Sequence, residues 1–93
     1  MSQIWVRTIL EAVADVTGIS EELIAGEGQN ERVTDCRAVV SWLAVRHTKA
    51  SHTQIGRVIK RDRTQALRGY QRVEAQPEKF KAVIAAAERR FTR

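Results

Sequence analysis

The stretch SHTQIGRVIKRDRTQALRGYQRVE, residues 51–74, decides the fold. Its first part predicts a short helix, because Ser51 is a favoured N-cap and Gln54, three residues later, completes a capping box. Asp62 and Gln65 repeat that signature, so a second helix is expected to begin directly after a short basic break. Two helices joined by so short a turn are typical of a helix-turn-helix.

The second of these helices has one apolar and one polar side. Its apolar residues fall on a single helical stripe and comprise Ala66, Leu67, Tyr70 and Val73. Its polar side begins with the basic Arg63 and continues through Thr64, Gln65, Arg68, Gln71 and Arg72. A helix whose exposed N-terminal end is polar and basic is typical of a DNA recognition helix. Gly56 lies inside the first of these helices and predicts a close approach of the second helix. Gly69, inside the second helix, invites the same interpretation, with flexibility as the alternative.

The rest of the chain predicts four more helices and no sheet. The first spans residues 4–17 and ends at Gly18, and the second is short, begins after Ser20 and stops at Gly26. A polar loop is expected over residues 26–33. After it, Thr34 or Asp35 would cap a third helix that runs to about residue 48, and Pro77 suits the first turn of the last helix. We therefore predict an all-α, six-helix bundle that contains a helix-turn-helix at about residues 51–75, with residues 1–93 forming a single helical domain.

Two tryptophans and the single cysteine are interpreted as packing residues. Cys36 belongs to an apolar stripe on the third helix that continues through Val39, Val40 and Leu43, which predicts a buried thiol. Trp42 is expected to close the packing against another helix, and Trp5 to lie in the core or at its rim.

Charge divides the chain into an acidic first half and a basic second half. Residues 1–45 hold three basic and seven acidic residues, whereas residues 46–93 hold thirteen basic and four acidic ones. Between Arg46 and Arg72 the only acid among eight Lys or Arg residues is Asp62. A basic stretch centred on a helix-turn-helix indicates a nucleic-acid partner, and a merely solvated surface is the alternative.

Motifs for other functions are missing from the sequence. Cys36, His47 and His52 do not have zinc-site spacing, no GK[ST] phosphate loop occurs, and neither a nucleophile elbow nor a convincing carboxylate pair is found. We predict no enzyme, no cofactor, no metal and no small-molecule substrate. No apolar run approaches the roughly 20 residues that span a bilayer, and the N-terminus does not resemble a signal peptide. With one cysteine, these features predict a cytoplasmic, nucleoid-associated protein without a membrane partner.

The segment ASHTQIGRVIKRDRTQALRGYQRVE resembles the C-terminal DNA-binding domain, domain IV, of the bacterial replication initiator DnaA. That family carries a pattern near SxxEIGxxFGGRDHTTVxxAxxKIE. The matching positions are Ser51, Ile55, Gly56, Arg61, Asp62, Thr64, Val73 and Glu74. Upstream, ILEAVADVTGISEELIAG and VTDCRAVVSWLAVRHT are similar to the first three helices of the family, with Arg37 on a family arginine. The resemblance implies a DnaA domain IV or Trp-repressor-like fold and a role in replication initiation at an origin or in its regulation.

The resemblance also implies which residues meet DNA. The family's residues at the positions of Asp62, Arg63 and Thr64 contact bases in the major groove, and Arg61 lies beside them. The positions of Arg37 and of the start of the fourth helix contact phosphates. The sequence departs from the family at Arg63, where a histidine is usual, at Gln65 and Ala66, and at Lys60, where paired glycines are usual. The family's basic loop corresponds here to GEGQNER, in which only Arg32 is basic, and this weakens the case for a minor-groove contact.

From these observations we assign two sets of candidate contacts. The base contacts are Asp62, Arg63, Thr64 and Gln65, with capping as the favoured role of Asp62. The phosphate contacts are Arg37, Ser51, His52, Gln54, Lys60, Arg61, Arg68 and Arg72. A local ion pair is the equal alternative for Arg37. The alternatives to sequence-specific binding of double-stranded DNA are a small stand-alone regulator that binds a replication or transcription protein, and a non-specific DNA-binding protein. The sequence fits a bacterial source or a phage source. It also fits either a fragment of a longer protein or a complete small protein.

Overall fold

The computed structural model describes residues 4–92, and every regular element in that range is an α-helix. The helices are α1 (Val6–Thr17), α2 (Glu21–Ile24), α3 (Glu31–His47), α4 (His52–Ile59), α5 (Arg63–Ala75) and α6 (Pro77–Phe91). Their number and order confirm the predicted all-α, six-helix fold with a helix-turn-helix formed by α4 and α5. None of the helices among the described residues is long and apolar enough to cross a membrane.

Local sequence signals set most of the helix ends. Gly18 ends α1 in the left-handed conformation at φ 73°, and the Ser20 hydroxyl accepts from the backbone N–H of Leu23 at 3.1 Å to begin α2. Pro77 occupies the first turn of α6, where its missing N–H leaves no helical hydrogen bond unmade. These three ends confirm the prediction.

The predicted start of α3 was wrong by one turn. Asn30 is the N-cap, and its Oδ1 accepts from the backbone N–H of Val33 at 3.0 Å. Thr34 and Asp35, the predicted caps, already lie inside the helix. The error arose because a polar stretch reads as a loop by composition, whereas Asn is a strong cap and Glu31 interacts favourably with the helix dipole in the first turn. The α2–α3 loop therefore comprises residues 25–30.

The core forms around α3. This helix packs against α1, α4, α5 and α6, and α6 packs mainly against α1. Apolar residues of all six helices are buried together, among them Leu10, Ile24, Leu43, Ile55, Val73 and Phe80. Cys36 is buried as predicted, and burial raises the pKa of its thiol. Trp5 is 60% exposed and so lies outside the core.

Two glycines allow the close packing that surrounds the helix-turn-helix. A Cβ on Gly56 would overlap the carbonyl oxygen of Arg61 and lie 3.1 Å from that of Asp62. A Cβ on Gly69 would lie 3.1 Å from the Cα of Ala38 in α3. Both distances are tighter than side chains normally accept, which confirms the predicted close approaches. At Gly56 the approaching backbone is the turn that leads into α5, where the second helix itself was predicted, and at Gly69 it is α3.

Candidate nucleic-acid interface

The N-terminal end of α5 lies on the surface. The four predicted base contacts are all exposed, namely Asp62, Arg63, Thr64 and Gln65. Arg68, one turn further along α5, is exposed as well. The helix is held from its other side by Ala66 and Val73, which are buried. A surface helix of this kind, with donors at its N-terminal end, has the form that enters the major groove of DNA.

Asp62 begins α5. Its Oδ1 accepts from the backbone N–H of Gln65 at 2.8 Å, which is the N-cap hydrogen bond predicted from the sequence. Since this carboxylate is already committed to the helix end, the other three predicted base contacts are freer than Asp62 to meet a base. The assignment of base contacts remains a prediction.

The turn between α4 and α5 is short and basic. Lys60 caps α4 with φ 57°, the left-handed conformation that glycine adopts most easily. Arg61 follows it, and its guanidinium donates to the carbonyl oxygen of Gly26 in the α2–α3 loop at 2.6 Å. Arg61 therefore fastens this loop to the helix-turn-helix.

The first turn of α4 presents the next predicted phosphate contacts. Ser51 and Gln54 are exposed and form the predicted capping box. The Ser51 hydroxyl accepts from the backbone N–H of Gln54 at 3.2 Å, and the side-chain Oε1 of Gln54 accepts from the backbone N–H of Ser51 at 2.8 Å. His52 is half-buried and packs edge-on to Tyr70 of α5, with ring centroids 6.4 Å apart. Helix N-termini attract phosphate through their backbone donors, so this turn suits a phosphate contact whichever side chains take part.

Arg37 lies deeper than its predicted phosphate role requires. The residue is only 7% exposed, and its guanidinium donates to the carbonyl oxygens of Ile24 at 3.0 Å and Gly28 at 2.6 Å. Burial lowers its pKa, and the nearby charge of Arg61 lowers it further. Its near partners are thus backbone carbonyls at the end of α2 and in the α2–α3 loop, and not the local ion pair that the sequence left open. Its contact with phosphate stays a prediction.

Arg68 and Arg72 lie on one side of α5, four residues apart. Arg68 is exposed, whereas Arg72 is half-buried and pairs with Asp35 of α3 at 2.9 Å. Asp35 also lies 3.3 Å from Lys79 of α6, so α3, α5 and α6 meet at one charged cluster. Arg68 is accordingly the better placed of the two to meet a DNA phosphate.

Sequence reasoning did not identify the contacts that hold the α2–α3 loop. The acceptors are backbone carbonyls of residues 24, 26 and 28, and every residue type carries a backbone carbonyl. No sequence signal could have indicated them. The result places the loop, with its exposed Glu27 and Gln29, next to the helix-turn-helix.

Comparison with known proteins agrees with this geometry. A family model described as bacterial dnaA protein helix-turn-helix matches residues 6–73. The matched region begins with α1 and ends within α5, so it includes the whole of α4 and the exposed end of α5. No curated protein matches the chain in sequence.

Proposed function

Because the chain belongs to the bacterial DnaA helix-turn-helix family, a family of DNA-binding domains, we propose that it binds double-stranded DNA at a specific sequence. We further propose that it acts in replication initiation at an origin or in its regulation, and that residues 1–93 form one helical DNA-binding domain. The family supports a binding role and not a catalytic one. The observation that carries the proposal is the outward, arginine-led N-terminal end of α5.

Base readout would begin with Arg63. A guanidinium has the fork geometry to donate both to O6 and to N7 of a guanine, and such a bidentate contact discriminates by about 1–3 kcal/mol. Thr64 suits the methyl group of a thymine, and Gln65 the edge of an adenine. Asp62 acts chiefly as the helix cap, with the amino group of a cytosine as its one suitable base partner.

Phosphate contacts would fix the register of α5 on the duplex. Lys60 and Arg68 are exposed on the turn and on α5, and Arg61 lies beside Lys60. The first turn of α4 adds its exposed polar side chains. Arg72 and Arg37 stand behind this surface, where their charges add to the positive potential. A protein that neutralises about six phosphates should lose affinity with salt at a slope of about −5 in log K against log salt.

Selection of bound duplexes from a random pool tests the proposal. We expect a short consensus sequence to emerge, and we expect the selected duplex to resist competition by random duplex. Arg63→Ala should cost about 1–3 kcal/mol on the selected duplex and relax the preference at one position. Arg89→Ala provides the matched control, because it removes an equal charge from an exposed position on α6.

Two other results would overturn the proposal, and a third would change the role assigned to Arg63. Equal competition by selected and random duplex would indicate non-specific coating of DNA. No complex with any duplex at low salt would favour the protein-binding alternative, in which the basic surface meets an acidic region of a replication or transcription protein. An equal loss of affinity on every sequence for Arg63→Ala would show that Arg63 holds a phosphate only.

A further inference from the structure

Two large apolar side chains are exposed among the described residues, Trp5 at 60% and Leu23 at 57%. Neither belongs to the helix-turn-helix. A single exposed apolar side chain is common on protein surfaces and needs no explanation. These two differ from such cases, because Trp5 lies beside positive charges and Leu23 lies beside negative ones.

Trp5 lies at a groove between α1, the end of α3 and α4. The groove has a volume of about 950 Å³, and its apolar wall includes the partly buried side chains of Ile4, Ala50 and Val58. Three exposed cations share this wall, namely Arg7, Arg46 and Lys49, and no Asp or Glu of the described residues does. None of the three cations forms an ion pair within residues 4–92. The groove therefore suits a partner that is both apolar and acidic.

The segment around Leu23 has that chemistry. Glu21 and Glu22 precede Leu23 in α2, and Glu27 follows it in the α2–α3 loop. These glutamates form no ion pair in the part of the chain that the structure describes. An exposed leucine flanked by unpaired carboxylates can bury its apolar surface in such a groove while the carboxylates meet the cations on the wall.

The Trp5 groove and the acidic segment lie side by side on one face of the molecule. Arg7 and Val58 line the Trp5 groove and also line the neighbouring groove, whose wall includes Glu21 and Glu22. A face that carries a basic apolar groove next to an acidic apolar segment is complementary to a copy of itself turned by a two-fold rotation. In such an arrangement every contact is made twice.

We propose that a second copy of this chain occupies the Trp5 groove, so that two chains associate through this face about a two-fold axis. Leu23 of each chain packs against Trp5 of the other, and the glutamates of α2 meet the cations of the groove. Each chain has a net charge of +5, so two copies repel one another overall, and the local complementarity must outweigh this repulsion. The inference concerns the chain without DNA and does not rest on the proposed function.

Sedimentation velocity of the DNA-free chain over a range of protein concentrations tests the proposal. The wild-type protein should change from monomer to dimer as its concentration rises. The double variant Arg46→Glu/Lys49→Glu places like charges at both contacts and should stay monomeric, and so should Glu21→Lys/Glu22→Lys. An equimolar mixture of the two variants should form the dimer again, because each variant then meets opposite charges on the other.

A charge control and two apolar variants complete the test. Lys81→Glu/Arg89→Glu changes the net charge as much as Arg46→Glu/Lys49→Glu does, but its exposed positions on α6 line neither groove, so it should dimerise like the wild type. Leu23→Ser and Trp5→Ala should each weaken dimerisation about tenfold or more, because each removes an apolar contact from both halves of the interface. These changes are at exposed positions, so the variants should keep the helical circular-dichroism spectrum of the wild type.

Three results would overturn or contradict the proposal. A wild-type protein that stays monomeric at every concentration would overturn it, as would a mixture of the two folded charge-reversed variants that does not dimerise. Oligomers larger than a dimer would contradict the two-fold arrangement. If a monomeric wild type bound poly-L-glutamate and Arg46→Glu/Lys49→Glu did not, the groove would belong to an acidic segment of another protein and not to a second copy. None of these measurements contains DNA, so a failure of DNA binding would leave their outcome unaffected.

Discussion

Replacing Gly56 by alanine should disturb both the stability of the fold and the position of α5. Gly56 is buried in α4, directly against the turn that leads into α5. The Cβ of an alanine would overlap the carbonyl oxygen of Arg61 and approach that of Asp62 to 3.1 Å. These neighbours are backbone atoms, which cannot turn aside as the end of a flexible side chain would. The turn itself must therefore move.

Two opposing terms set the size of the effect. Alanine favours a helix interior over glycine by about 1 kcal/mol. Overpacking of a well-packed interior costs about 1–3 kcal/mol, and a clash with backbone belongs at the upper end of that range. We expect a net loss of about 1–2 kcal/mol in the free energy of unfolding. For a chain of this size that loss lowers the melting temperature by roughly 4–16 °C.

Thermal unfolding and duplex binding measured on the same variant check this reasoning. Gly28→Ala is the matched control, because a Cβ at Gly28 meets no atom within 4 Å. It should be neutral or stabilise by up to about 1 kcal/mol through the unfolded state. The Gly56 variant should also bind the selected duplex more weakly, because the clash displaces the cap of α5. A Gly56→Ala protein as stable as the wild type would refute the steric argument.

Three further predictions concern the cap, the charged cluster and the thiol. Asp62→Ala should destabilise the protein by about 0.5–2 kcal/mol in denaturant unfolding, whereas Asp62→Asn should keep most of the cap; equal losses would show that the carboxylate has another role. Lys79 donates to Glu31 at 2.9 Å, and this hydrogen bond and the Lys79 charge hold the pKa of that carboxyl below its usual value. The ionised Glu31 therefore stabilises the fold above the pKa of the unfolded chain, and this contribution is lost as the pH falls through the lowered pKa of the folded protein. The stability difference between wild type and Lys79→Gln should therefore shrink between pH 6 and pH 3, and a difference independent of pH would contradict the pairing. Cys36 is buried with a raised pKa, so iodoacetamide should modify it slowly in the native protein and rapidly in denaturant; rapid native modification would contradict its burial.

Local sequence signals predicted most of the fold. The residues that set these helix ends act within one helical turn, so they can be recognised from residue type and spacing alone. They are Gly18, Ser20, Ser51, Asp62 and Pro77. Apolar periodicity located the buried faces for the same reason. The start of α3 was misplaced because several good capping residues compete in one polar run, and the choice between them depends on how the loop packs.

Less of the candidate site than of the fold could be predicted from the sequence. The exposed end of α5 followed from periodicity, and its residues came from the helix-turn-helix pattern. The burial of Arg37 did not follow, because its partners are the carbonyls of Gly28 in the loop and Ile24 at the end of α2, 9 and 13 residues earlier in the chain. Likewise, Arg37, Arg61, Arg68 and Arg72 line one groove only because of how α3, α5 and the loop pack together, and that packing leaves no local sequence pattern.

The central claim is that α5 reads bases in the major groove through Arg63. The most direct measurement replaces single guanines of the selected duplex by 7-deazaguanine, which removes only the N7 acceptor in that groove. At one position the replacement should weaken binding of the wild-type protein by about 1–3 kcal/mol and leave the affinity of Arg63→Ala unchanged. Unchanged wild-type affinity at every guanine, or an equal loss in both proteins, would contradict the claim.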